Sequence, residues 1–351
     1  MPERRVIVVT GATSGVGRAT ACAFAHEGAA VALLARGEDG LDAARRDVEA
    51  AGGTALALSV DVADHEQVDA AAERVEQELG PIDVWVNNAM TTVFAEFADI
   101  EPAEFRRATE VTYLGSVWGA HAALRRMLPR DRGTIVQVGS ALAFRGIPLQ
   151  TPYCGAKHAL QGFVEALRCE LRHRRSNVRV TAVHLPGLNT PQFDRCRSKM
   201  PRHAQPVPPV FQPELAADAI VWASRHDRRV VYVGSSTVAT ILANRLAPSL
   251  VEWYLAKTGY GSQQTDAREQ GERPGNLFEP LPGDPGMHGP FDSEAHAHSV
   301  QLAATKHRLV SGALGVGAGL AVGGLIGVLE RRNGNGSGRL RHLAATVAGR
   351  G

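Results

Sequence analysis

Seven short apolar runs, separated by stretches with helical spacing, constrain this chain more than any other feature. The runs are RVIVVT (5–10), AAVALLAR (29–36), TALALSVDV (54–62), IDVWVNNA (82–89), GTIVQVGS (133–140), VRVTAVHL (178–185) and RRVVYVG (228–234). They are rich in β-branched residues and apolar almost throughout, as strands buried on both faces must be. Between them, 41–52, 65–80, 104–128, 153–172 and 214–226 read as helices, the first stopped by glycines. Strand and helix alternate throughout, which predicts an α/β fold built on a doubly wound parallel sheet with right-handed crossovers.

The first strand runs into TGATSGVG (10–17). Gly11 permits a tight turn, while Gly15 and Gly17 lack the Cβ atoms that would keep a pyrophosphate away from the following helix. Free N–H groups and the helix dipole attract phosphate there. A glycine cluster alone says little, but its place at the first strand–helix junction points to a nucleotide.

A second local pattern is YCGAK (153–157), which sets Tyr153 and Lys157 one helical turn apart on one face. With 5 tyrosines and 4 lysines in 351 residues, chance gives such a pair roughly 0.06 times. It follows Ser140, the last residue of a strand, by 13 positions. A carbonyl that accepts hydride at carbon needs a proton at oxygen, and a free phenol with pKa near 10 is a poor donor at neutral pH. A neighbouring ammonium and a positive nicotinamide ring are expected to lower that pKa. Tyr153 is the expected general acid in reduction and base in oxidation, with Ser140 donating a hydrogen bond to the substrate oxygen.

TGATSGVG, DV (61–62), NNA (87–89), Ser140, YCGAK and PG (186–187) stand in an order and spacing that resembles the short-chain dehydrogenase/reductase family. The resemblance covers residues 4 to 260 and implies a Rossmann-type domain with about seven strands. The implied activity is hydride transfer between a nicotinamide cofactor and an alcohol/ketone pair. It also implies cofactor contacts at Gly11, Thr13, Ser14, Gly15, Val16 and Gly17, adenine contacts at Asp61 and Val62, and a cleft border at Asn87, Asn88 and Ala89. Lys157 would hold the nicotinamide ribose beside Tyr153, and Pro186, Gly187 and Thr190 would reach the nicotinamide end. Homo-oligomers are usual in the family. Three departures stand out: Thr112 takes the place of the family's proton-relay asparagine, Met90 that of a glycine, and PGLNT (186–190) is one residue short. Thr112 keeps a hydroxyl and stays in the catalytic set. If these departures abolished turnover, the chain would be a cofactor-binding regulator; a membrane scaffold would leave the catalytic set unexplained.

The second strand ends in Ala35 and Arg36, not in the carboxylate that binds a free ribose 2′-hydroxyl. Arginine pairs with a 2′-phosphate through its fork of donors, so NADP(H) is expected over NAD(H). The resemblance implies that the proline-rich stretch 188–213, after the sixth strand, caps the substrate pocket. Phe193, Met200, Val207, Val210 and Phe211 are its candidate lining for a bulky apolar ligand.

The family-like region sets a catalytic domain at 1–262. Residues 263–304, polar with Gly and Pro, are expected to form an extended arm or linker. Within 305–332, the 21 positions 309–329 carry no charge, and Gly315, Gly319, Gly323 and Gly327 form a stripe. In water each glycine costs a helix about 1 kcal/mol relative to alanine, whereas in lipid such stripes let helices approach closely. A transmembrane or membrane-associated helix is the expectation, as a C-terminal helical extension, followed by a disordered basic tail at 333–351. A net charge of +2 excludes the basic footprint of nucleic-acid binding. The N-terminus lacks the features of a secretory signal, so the catalytic domain is expected in the cytoplasm. Cys22, Cys154, Cys169 and Cys196 have no metal-ligand spacing.

Overall fold

Val6–Thr10 (β1) is buried along its whole length, and its side chains alternate between two hydrophobic layers. A computed structural model of the chain describes residues 4–307, apart from 270, 272 and 274. The elements that follow β1 are Gly15–Ala25 (α1), Ala30–Ala35 (β2), Glu38–Ala50 (α2), Thr54–Ser59 (β3), His65–Glu78 (α3) and Val84–Asn87 (β4). Then come Pro102–Thr109 (α4), Gly115–Met127 (α5), Thr134–Ser140 (β5), Thr151–His173 (α6) and Arg179–Leu185 (β6). Pro213–Arg225 (α7), Val230–Tyr232 (β7), Ser235–Leu246 (α8) and Pro248–Thr258 (α9) complete the regular part.

All seven strands pair in parallel, in the order β7-β6-β5-β4-β1-β2-β3. This is the Rossmann-like α/β fold. Ile7, Val9, Val31 and Leu33 pack with α1, α2 and α7, while Val8, Ala32, Leu34 and Ile135 face α3, α5 and α6. Winding reverses between β1 and β4, so a crevice opens at their carboxyl ends, the usual ligand position in such sheets.

The single helix expected over 104–128 is interrupted. Glu110–Leu114 widens into a π-turn between α4 and α5, burying Val111 and Thr112. Such turns place one extra residue in the helix and shift the side chains after it.

The expected linker at 263–304 is corrected by the structure, because the chain clusters as one compact unit up to Leu302. Gln264–Arg268 pairs antiparallel with Arg202–Ala204, and Ala295–His296 pairs parallel with Val210–Phe211. Leu277, Phe291 and Leu302 are buried anchors. Proline and glycine made the backbone irregular here, but a few large side chains were enough to dock it. Among the described residues no helix is long and apolar enough to cross a membrane. The stretch 309–329 and the tail 333–351 lie outside the described residues.

Candidate functional site

The crevice is held open by hydrogen bonds between its two lips. Thr10 Oγ1 donates to Val86 O at 3.3 Å and accepts from the N–H groups of Asn88 and Ala89, each at 3.0 Å. Asn88 Nδ2 donates to Thr10 O at 3.0 Å and Gly11 O at 3.2 Å. Gly11 and Gly15 adopt positive φ, which non-glycine residues reach only with strain. A Cβ at Gly17 would lie 2.1 Å from the Gly11 carbonyl oxygen. Ser14 starts α1 without a side-chain capping bond, which leaves first-turn N–H groups of the helix for other acceptors, although Gly15 N already donates to Gly286 O. These features fit a dinucleotide cofactor.

A cavity of about 210 Å³ follows from this turn. Gly11, Thr13, Ser14, Gly15, Val16, Arg36, Asp61, Val62, Asn88, Ala89 and Thr190 all line it. Gly17 stands behind the wall, where its missing side chain lets the turn close on itself. Asn87 is a correction. Its side chain accepts from Trp85 Nε1 at 2.8 Å and donates to Ser116 O at 3.0 Å, so it ties β4 to α5 and does not line the cleft.

Arg36 lies on the cavity wall but has unexpected partners. It donates to Asn276 O and Phe278 O, both at 2.6 Å, and to Leu277 O at 3.4 Å. Burial, followed by the nearby Arg107, holds its pKa below the usual arginine value. Asp61 accepts from Arg107 at 2.5 Å, and Arg107 also donates to Leu277 O. The segment thought to be a linker therefore forms part of the crevice.

Ser140, at the end of β5, and Tyr153, in the first turn of α6, share a side-chain hydrogen bond. Ser140 Oγ also accepts from Leu142 N at 3.1 Å. Lys157 is 3% exposed; its Nζ donates to Val138 O at 2.7 Å and lies 5.5 Å from the centre of the Tyr153 ring. The expected acidification of the phenol is not what the protein alone produces. Burial pushes Tyr153 up to about 12, against the Ser140 hydrogen bond, which pulls it down. Burial likewise pushes Lys157 down to about 8, since removing water penalises the charged form of each.

Thr112 is a second correction. It is fully buried; its hydroxyl donates to Thr91 O at 2.8 Å and accepts from Thr91 N at 3.1 Å. Both capacities are used in bracing the loop after β4, and Thr112 lines neither cavity. Sequence reasoning also passed over His184 on β6, which looked like one residue of an apolar strand. Its Nδ1 lies 3.2 Å from Ser140 O, and its ring sits between Phe144 and Tyr232. Burial drives its pKa down to about 4, so it stays neutral and braces the backbone of Ser140.

Ser140, Tyr153, Lys157, Pro186 and Gly187 line a second cavity of about 470 Å³. Val16, Asn88, Met90, Thr190 and Gln192 line both cavities, so the two adjoin. Of the expected pocket residues, Phe193 and Val207 line it. Met200, Val210 and Phe211 instead turn inward and are buried. The remaining apolar wall comes from Leu142, Ile147 and helices α8 and α9, through Ala243, Val251 and Leu255. Those two helices bury only Thr237 and leave Leu242, Leu246, Leu250, Trp253 and Tyr254 exposed.

Residues 5–201 match the family model described as short chain dehydrogenase. The chain is 32% identical over 319 residues to an uncharacterized oxidoreductase, YxnA, of Bacillus subtilis (strain 168), covering 89% of this chain and 88% of that one. It is 34% identical over 223 residues to the 3-ketodihydrosphingosine reductase of Bos taurus, covering 61% of this chain and 67% of that protein. A metagenomic short-chain oxidoreductase solved in complex with NADP superposes with a TM-score of 0.55 at 28% identity, covering 65% of this chain and 96% of that one. With the parallel sheet, the glycine turn and the Ser140–Tyr153–Lys157 cluster, these likenesses lead to one conclusion: the chain belongs to the short-chain dehydrogenase/reductase family and is an oxidoreductase of CH–OH/C=O groups that uses a nicotinamide cofactor.

Proposed function

We propose that the protein interconverts a bulky, lipid-like alcohol and its ketone with NADP(H). One observation carries this reading: Ser140, Tyr153 and Lys157 line a large, mainly apolar cavity that adjoins the glycine-turn cavity. The resemblance to a 3-ketodihydrosphingosine reductase supports a long-chain substrate. NADP(H) is supported by the lack of a carboxylate at the end of β2 and by the solved neighbour that holds NADP, whereas the Arg36 fork expected to meet a 2′-phosphate is spent on the carbonyls of Asn276, Leu277 and Phe278.

Residues of the glycine turn would hold the cofactor, which would supply the hydride and, in its oxidised form, positive charge. The remaining steps belong to the chain. Apolar walls exclude water from the reacting carbonyl. Ser140 Oγ donates a hydrogen bond to the substrate oxygen and Tyr153 delivers the proton to it. With its pKa near 12, the phenol is fully protonated at neutral pH, the form that reduction requires. Lys157, anchored on Val138 O, keeps its ammonium against the Tyr153 ring and stabilises the phenolate that forms.

A panel of aliphatic, aromatic, steroid and long-chain amino-alcohol ketones, followed by NADPH and NADH oxidation, tests the assignment. Long-chain ketones with NADPH should give at least about ten times the kcat/KM of short ketones, because each buried methylene adds roughly 0.8 kcal/mol of binding. Equal rates with acetone-sized substrates, or a preference for NADH, would count against it. We further propose that 309–329 anchors the enzyme to a membrane, close to an apolar substrate. Full-length protein should then sediment with membranes and need detergent for release; a soluble full-length chain ends that idea.

A further inference from the structure

Residues 276–292 cross the crevice from one rim to the other, far along the chain from the family-matched part. At one end Leu277 is fully buried against Val93, Ala95 and Ala108, and its neighbouring carbonyls take the Arg36 and Arg107 donors. At the other end Phe291 is buried against Phe193, its N–H donating to Asn189 Oδ1 at 3.0 Å. Between these anchors the strand of chain is pinned by polar contacts to α1 and α2. Gly283 N donates to Asp39 Oδ2 at 2.8 Å, Asp284 pairs with Arg18, and Gly15 N donates to Gly286 O at 3.3 Å. Backbone meets backbone where it lands, since a Cβ at Gly289 would lie 2.6 Å from Thr190 O.

A cavity persists beneath this strap, lined on the inner side by the glycine turn and on the outer side by Asn276, Pro280, Leu281, Gly283 and Pro285. We infer that residues 276–292 form the outer wall of the dinucleotide site and a gate that must lift for the cofactor to enter or leave. This rests on the reading that the crevice takes a dinucleotide. The physical basis is a difference in hold along the strap. Leu277 and Phe291 are buried, whereas 278–280 and 282–284 are exposed and held by polar contacts such as the Asp284–Arg18 ion pair. Segments with few buried contacts open most readily. Each ligand contact made to the seated strap stabilises closure, so strap seating and nucleotide binding are coupled with the same sign.

Hydrogen exchange on the native full-length chain, with and without NADPH, reads this directly. Amides in 278–290 should exchange at least about tenfold more slowly with NADPH bound. Unchanged exchange overturns the gate, and faster exchange means that the strap is expelled by the nucleotide. Leu277→Asp should unseat the strap, weakening NADPH binding at least about tenfold by fluorescence titration and speeding its release. Should that variant not fold, Asp284→Asn, on the exposed part, should still speed NADPH dissociation several-fold. Variants that bind and release NADPH like the native chain would refute the inference. If the native chain binds neither NADPH nor NADH, the dinucleotide reading fails and the strap's role fails with it; native binding with an indifferent strap removes only the latter.

Discussion

A Tyr153→Phe enzyme should bind NADPH within a few-fold of the native affinity and turn over about 1,000-fold more slowly. General acid catalysis by a placed side chain contributes roughly 10²–10⁴ in rate, and phenylalanine keeps the ring while removing the proton. Binding should survive because the glycine turn and the walls of the first cavity owe nothing to the Tyr153 hydroxyl. The pH profile provides a second readout. Since burial raises this phenol to about 12 in the protein alone, the native and Tyr153→Phe chains should show the same phenolate absorbance at pH 9 without cofactor. Oxidised cofactor, bringing positive charge, should move ionisation to lower pH. Residual turnover above about a tenth of native in the Phe variant would remove Tyr153 from the chemistry.

Lys157→Met should have opposite effects on activity and stability. Turnover should fall by about 100-fold or more with loss of the ammonium beside the phenol. Stability should rise. A drop from 10.5 to about 8 in the folded chain means that burying the charged lysine costs about 3 kcal/mol below pH 8. Losing the bond to Val138 O takes back about 1 kcal/mol, leaving a net gain of about 2 kcal/mol at pH 7. The sign follows from proton counting. Between pH 8 and 10.5 the unfolded chain holds more protons on this lysine than the folded one, so native stability climbs with pH there. The stability advantage of the variant should therefore be largest below pH 8 and shrink above it. Denaturant melts of both proteins at pH 7 and pH 10 check this; a variant less stable at pH 7, or a constant difference, would show that the charge is not penalised.

What could be read without coordinates was local. β1 and β5 announce themselves as apolar runs, and the glycine turn is recognisable because it sits where one such run meets a helix. Tyr153 and Lys157 are legible for the same reason, since a spacing of four on a helix fixes a shared face. Thr112 and Asn87 misled because a residue type at a familiar spacing does not reveal which way its polar atoms turn. The π-turn at Glu110–Leu114 buries Thr112 against Thr91, and Asn87 bonds across to α5. The pocket was only partly legible. Met200 and Phe211 look like Phe193 in an irregular stretch, and only packing decides which of them turns inward.

Order of residues alone was therefore enough to determine the alternating sheet, the glycine turn and the shared helix face of Tyr153 and Lys157, because each is set by periodicities of a few residues. The tertiary structure decided the protonation balance of Tyr153 and Lys157, the partners of Arg36, and the strap across the crevice. Those properties arise from desolvation and from contacts between segments as far apart as Arg36 and Phe278. Burial and long-range partnering depend on where the whole chain closes, and no short window of sequence contains that information.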